Sequence, residues 1–283
     1  MKRVQISQFR RYQIRGFCVL LTAILIGIGL APAKVAYAAG IVVTTTADTI
    51  DAAANCLSVT VASLPGPDGQ TSLREAVCAA NSNADADSIT FSVNGTFALI
   101  GAANEDSSGT GDLDILRSLT ITGNGVANTI IDGSGNDRVF DVYPPAAIDF
   151  GFFNLTVQNG NTSALPSNNQ GGAIYLDSDV TATISGCTIT NNSSRAFGAI
   201  MNVGRLTISN SVISNNQTIP ASGTTEGGGI RNSGALTITN TTISNNSVRG
   251  EGGGLATTTG AAVVVNITRS TICLLYTSDA ADE

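Results

Sequence analysis

Fourteen aspartates and eight arginines dominate the ionisable chemistry of residues 39–272, a stretch with four glutamates and neither histidine nor lysine. Hydrolysis of a glycosidic bond needs two carboxyl groups at a defined separation, one as acid and one as base or nucleophile. The candidates are Asp137 with Asp141, Asp177 with Asp179, and Asp132. Elimination chemistry instead needs a base such as arginine near acidic groups, and Arg138 beside Asp137 and Asp141 is the nearest approach to that arrangement. Neighbouring Asp and Arg also form plain solvated ion pairs, which need no catalytic reading. A second acidic group, Asn104, Glu105, Asp106, Asp112 and Asp114, offers the oxygen ligands that calcium prefers. Aspartates in such a loop also bond to their own backbone. The expectation is therefore no catalytic residue and no cofactor. Asp137, Arg138, Asp141, Asp177 and Asp179 stand as the catalytic candidates, and Asp106, Asp112 and Asp114 as the calcium candidates.

Charge narrows the partners. The same stretch carries a net charge of −10, with little to neutralise phosphates. Nucleic acid is excluded as a partner on that ground, and an anionic membrane surface is a poor match. Three cysteines lie within it: Cys56, Cys78 and Cys187. Export permits disulfides, and Cys56 with Cys78 is the natural pair. Cys187 aligns with Ser211 and Thr241 of later repeats, so it reads as a small buried thiol. Without clusters of Cys and His there is no zinc pattern.

The chain opens with a positive segment (Lys2, Arg3, Arg10, Arg11, Arg15), then an apolar run from Phe17 to Ala31, then Ala36-Tyr37-Ala38. This predicts a signal peptide over residues 1–38, cleaved between Ala38 and Ala39, and an exported protein with no transmembrane helix in the mature chain. At the other end, Cys273 to Glu283 breaks the repeat and back-translates to a transposase-based sequencing-library adapter. Residues 273–283 are therefore expected to be adapter-derived, and the chain a fragment.

The elements that must position these groups are short. Ile41 to Thr46 is β-branched throughout and predicts a first strand. Ser72 with Glu75 three residues on makes a capping box, and Leu73, Ala76, Val77 and Ala80 share a face, so a short helix follows. Strand-like runs separated by Gly and Asn continue from Ile89. A phrase then recurs: Gly172-Ala173-Ile174, Gly198-Ala199-Ile200, Gly228-Gly229-Ile230 and Gly253-Gly254-Leu255, each but the last followed by an Asn-Asn pair. Ile174 to Ile200 is 26 residues, Ile200 to Ile230 is 30, and Ile230 to Leu255 is 25. A repeat of this length predicts stacked coils with length variation at one corner. The Asn-Asn pairs belong at corners, where amides can bond along the stack.

Thr71-Ser72-Leu73-Arg74-Glu75-Ala76, with Val42-Val43-Thr44-Thr45-Thr46 before it and Gly111-Asp112-Leu113-Asp114-Ile115 after it, resembles the CSLREA module of exported bacterial proteins; Thr71 stands where that family has Cys. The remainder is similar to the pectin-lyase-like right-handed parallel β-helix, and Gly172-Ala173-Ile174 to the repeats of polymorphic outer-membrane proteins. The resemblances imply an all-β fold, a right-handed parallel β-helix (solenoid) with a short N-terminal capping helix. Residues 39–115 would form the cap and first coils, and 116–272 the repeats. They imply an extracellular or bacterial cell-surface scaffold, structural or adhesive, meeting a glycan or a surface protein. The alternative is a polysaccharide lyase or glycoside hydrolase. The His and the Arg-x-Lys of polygalacturonase-like enzymes have no counterpart here.

Overall fold

A computed structural model describes residues 38–103, 108–165, 169–220, 225–259, 263–273 and 275–277. The expected signal segment up to residue 37, Asp106 with its neighbours Asn104 and Glu105, and the tail after Thr277 lie outside the described residues.

Alternation along each strand decides which side chains enter the core. In Asp87–Phe91, Ile89 and Phe91 are buried while Ser88 and Thr90 are exposed. Every strand pair is parallel, and strands join the sheets in chain order, so the chain winds as a helix of β-strands. The first sheet has eight strands, from Gly40–Val43 to Val264–Thr268. The second has seven, from Gly95–Ala98 to Thr271–Cys273. The third has six, from Leu113–Asp114 to Leu255–Thr257. This is the all-β parallel solenoid expected from the repeat.

Register stacks like on like. Ile184, Ile208 and Ile238 align on the first sheet, Ile189, Ile213 and Ile243 on the second, and Ile174, Ile200 and Ile230 on the third. These columns form one continuous apolar interior. Where Phe150 and Phe152 enter, Phe150 faces Ala182 one coil on, so a small residue makes room for a large one.

The corners explain the asparagines. After the first-sheet strands that end at Phe153, Ser185, Ser209 and Thr239 comes a residue in left-handed conformation: Asn154, Gly186, Asn210 and Asn240, with φ of 55°, 66°, 51° and 49°. Glycine and asparagine tolerate that region best. The next residue turns inward, and Cys187 N–H donates to Ser211 Oγ (3.1 Å), Ser211 N–H to Thr241 Oγ1 (3.4 Å), and Thr241 N–H to Ser270 Oγ (3.1 Å). Cys187 thus fills a hydroxyl position, and burial pushes its thiol up to about 11.

The second corner divides the Asn-Asn pair into two jobs. Asn191, Asn215 and Asn245 take the left-handed turn (φ 56°, 57°, 55°). Asn192, Asn216 and Asn246 are buried and stack. Asn192 Nδ2 donates to Asn216 Oδ1 (3.0 Å) and Asn216 Nδ2 to Asn246 Oδ1 (2.9 Å), while the same oxygens accept the backbone N–H of the preceding coil. Losing such a buried amide strands several polar groups, each at a cost of about 1–3 kcal/mol.

A helix, Leu73–Asn81, packs on the first coils with Ser72 and Glu75 as a reciprocal capping box. Cys56 and Cys78 are disulfide-bonded, closing the loop beneath it. Among the described residues, no helix is long and apolar enough to cross a membrane.

Asn216→Ala should destabilise the protein by at least about 2 kcal/mol, whereas Asn215→Gly should be near neutral, because glycine accepts the turn; urea unfolding of both variants reads the contrast. Glu75 accepts N–H donors from Ser72, Asp51 and Ala52 at 2.8–2.9 Å. Burial alone would raise its carboxyl, but these donors hold it below the usual glutamate value of 4.5. A depressed acid stabilises above its unfolded value and loses that contribution as pH falls through its folded one. The deficit of Glu75→Gln, about 1–3 kcal/mol at pH 7, should therefore shrink on acidification below about pH 4.5, measured by unfolding at both pH values.

Candidate functional site

The first coils depart from the repeat at one position. Phe140 pairs with Ile174, so Arg138 stands where the next coils place Gly172, Gly198, Gly228 and Gly253. At two of these glycines a side chain cannot fit: a Cβ on Gly172 would run into Ser193 O, and one on Gly228 into Gly253 O. At Arg138 a full guanidinium is buried instead. Its Nε donates to Asp112 Oδ2 at 3.1 Å and lies 3.6 Å from Asp141 Oδ2. Its Nη1 donates to Gln170 O at 3.1 Å, and its Cζ sits 5.7 Å from the Tyr175 ring centre.

Strand register sets the acids around it. Asp114 pairs with Asp141, and Asp141 with Tyr175. Their strand neighbours Leu113, Phe140, Val142, Ile174 and Leu176 point inward, so these three side chains stack on the outer face of the third sheet. Asp112 precedes the same strand and is buried.

A second arginine holds the loop that carries Asp112. Arg74 Nε and Nη2 pair with Asp48 at 2.7 and 2.9 Å, and Nη1 and Nη2 reach the carbonyls of Ser108, Gly111 and Asp112 at 2.8–3.1 Å. All five guanidinium donors are thereby used. Ser108 completes the hold, its N–H donating to Asp114 Oδ2 and its Oγ accepting Asp114 N–H at 2.7 Å.

The result is four carboxyls, Asp112, Asp114, Asp137 and Asp141, gathered around Arg138. One ligand oxygen each from Asp112, Asp114 and Asp141 lies within 4.8 Å of the others. Burial, then the charges of Asp137 and Asp114, push the Asp112 carboxyl up to about 9 against the pull of Arg138. Burial and the charges of Asp177 and Asp141 also raise the Tyr175 hydroxyl. Beside the cluster opens a cavity of about 440 Å³ whose wall includes Asp114, Arg138, Asp141, Tyr143, Gln170 and Tyr175.

Asp137, Arg138 and Asp141, read from sequence as one group, and Asp112 and Asp114, read as another, thus meet in a single site. Asp177 is half-buried on the turn after Tyr175, and Asp179 is exposed on that turn. Asp132 is elsewhere, accepting from Gln158 Nε2 and Asn159 Nδ2 at 2.8 Å each. Tyr143, Gln170 and Tyr175 were not anticipated as site residues. The available signal was Arg138 itself, a long side chain at a position that the repeat reserves for glycine.

Removing one member of a buried ion pair is costly because its partner stays behind. Arg138→Met should therefore destabilise by about 3–5 kcal/mol, while Arg205→Ala, at an exposed position, should stay within about 0.5 kcal/mol of the parent in denaturant unfolding.

Residues 108–273 match the family model described as the right-handed β-helix region, which covers more than half of the chain. No curated protein and no solved structure matches the chain.

Proposed function

We propose that this chain, which belongs to the right-handed β-helix family, is an exported extracellular or bacterial cell-surface scaffold that binds carbohydrate without transforming it. The carrying observation is the cavity beside the third sheet. It combines two aromatic rings, Tyr143 and Tyr175, with planar hydrogen-bonding groups on Asp141 and Gln170. Sugars present apolar C–H faces and a fringe of hydroxyls, which such a mixture of ring faces and directed polar groups suits. Tyr143 is 64% exposed and available to a ligand. The excess of acidic groups favours neutral over anionic glycans.

The export part of the reading rests on the basic and apolar opening of the chain and on the Ala36-Tyr37-Ala38 segment. An adhesive role follows the same logic, since a rigid coil array holds its binding face at a fixed place.

The alternative is a polysaccharide lyase or glycoside hydrolase, and Arg138 among carboxyls is the observation in its favour. Against it, Asp112, the carboxyl pushed up to about 9 and so the natural proton donor, is sealed beneath Arg138 and lies outside the cavity wall described above. A general acid must reach the leaving oxygen.

Glycan-array binding by the full chain is the test. Saturable binding to neutral glycans is expected, reduced about tenfold or more by Tyr143→Ala and Tyr175→Ala. A screen of polysaccharides for new reducing ends or unsaturated products should stay blank. Turnover that Asp137→Asn or Asp177→Asn abolishes would replace this reading with the enzymatic one.

A further inference from the structure

The second corner leaves a trough on the outside of the coils. Its turns are triplets in register: Asn161 pairs with Ser193, and Ser193 with Gln217. The middle residue of each triplet adds nothing to the outer surface. It is Gly160 in one coil, where a Cβ would run into Gly172 O. In the next two it is Asn192 and Asn216, whose amides drop into the interior ladder. The flanking residues form two banks, Asn159 and Asn191 on one, and Asn161, Ser193 and Gln217 on the other. The cavity they line holds about 460 Å³, begins at Ser134 and Gly135, and crosses four coils.

This wall is made of amides, hydroxyls and bare backbone, with no charge and no aromatic ring among its lining residues. Asn159 Nδ2 donates to Asp132 Oδ2 at 2.8 Å and Asn161 Nδ2 to Gly135 O at 3.2 Å, so these two amides are fixed in place. Asn191 and Gln217 are exposed. Ser193 gives a separate sign of a ligand. Its neighbour Ser194 is turned inward, Oγ 3.1 Å from Thr218 Oγ1, so Ser193 faces the trough with Gln217. Ser193 is 9% exposed, and its Oγ has no hydrogen-bond partner. A buried hydroxyl left unpaired is uncommon and costly.

We propose that this trough binds a linear, neutral polysaccharide lengthwise, one sugar residue to a coil. Each amide presents a donor and an acceptor side by side, which matches adjacent hydroxyls on a sugar ring. The coils repeat every ~4.8 Å, about the length of one ring in a glycan chain. Other polymers fit less well. Phosphates would meet no cation in the wall. An extended peptide would find no free sheet edge, because strands Thr188–Thr190 and Val212–Ser214 have neighbours on both sides. The trough shares no residue with the cavity beside the third sheet, and it reads hydroxyl edges where the tyrosines read ring faces. The site therefore stands or falls independently of that cavity.

Calorimetric titration of the full chain with linear neutral gluco- and manno-oligosaccharides of increasing length reads the site. Affinity should climb with length and level off at about four residues, one for each coil crossed. Gln217→Ala and Asn191→Gly should each weaken binding of the longest oligomer about three- to tenfold, as a lost hydrogen bond does. Glycine keeps the left-handed turn at Asn191 (φ 56°), so urea unfolding should not change. Ser193→Ala removes a hydroxyl with no partner in the protein, and should weaken binding without destabilising the fold. The double variant Tyr143→Ala/Tyr175→Ala should keep the length-dependent binding, whatever the fate of the cavity. Affinity that does not grow with length would overturn the proposal, as would parent-like affinity in both Gln217→Ala and Asn191→Gly, or no binding of any oligomer. Loss of all binding in the tyrosine double variant would also overturn it, and would leave the cavity beside the third sheet as the glycan site.

Discussion

Each coil of this protein must turn at the same places as the coil before it, because its backbone finds partners only one coil away. A parallel ladder tolerates no slip: a shift of one residue would send the Ile184–Ile208–Ile238 column outward and its threonine neighbours inward. The turns that protect register are local. At the second corner one asparagine adopts the left-handed conformation, and the next drops its amide into the interior to serve the neighbouring coil. Corner geometry and stacking are therefore one constraint, written into two adjacent residues.

The early coils meet that constraint differently. Between Asp112 and Tyr175 the third sheet carries charge instead, with Arg138 in the place of a glycine and carboxylates packed around it. Buried charge of this kind is weak as a source of stability, since desolvation offsets most of the attraction. What it supplies is position. Arg74 fixes the loop carrying Asp112 through backbone carbonyls, and Arg138 fixes the carboxylates, so the cavity has walls that are set before any ligand arrives.

The fold was legible because the repeat repeats its physics. Apolar residues at alternate positions, a turn-tolerant residue and a small polar one recur through the coils from Ile148 onward, a pattern that stacked coils satisfy. The site was not, because it is assembled across coils. Asp114 and Asp141 are adjacent only through strand register, and coil lengths vary too much for spacing to reveal it. Read along the chain, Asp112 with Asp114 and Asp137 with Asp141 formed two separate groups. Tyr175 looked like any outward strand residue, and only its stacking on Asp141 gives it a role. Arg138 stands out in the sequence for the acids beside it, while its more telling property is the glycine it replaces.

That replacement divides the array into two kinds of coil. From Ile200 to Leu255 the units are interchangeable: removing residues 200–229 would bring Ala199 to Ile230, and the same columns would meet again. Length can change there by whole coils without disturbing a neighbour. Across Arg138 no such exchange works, since Gly172 and Gly228 leave no volume for a guanidinium. The protein thus joins an extensible coil array to one irreplaceable joint, and variation in reach can proceed without touching the cavity beside that joint.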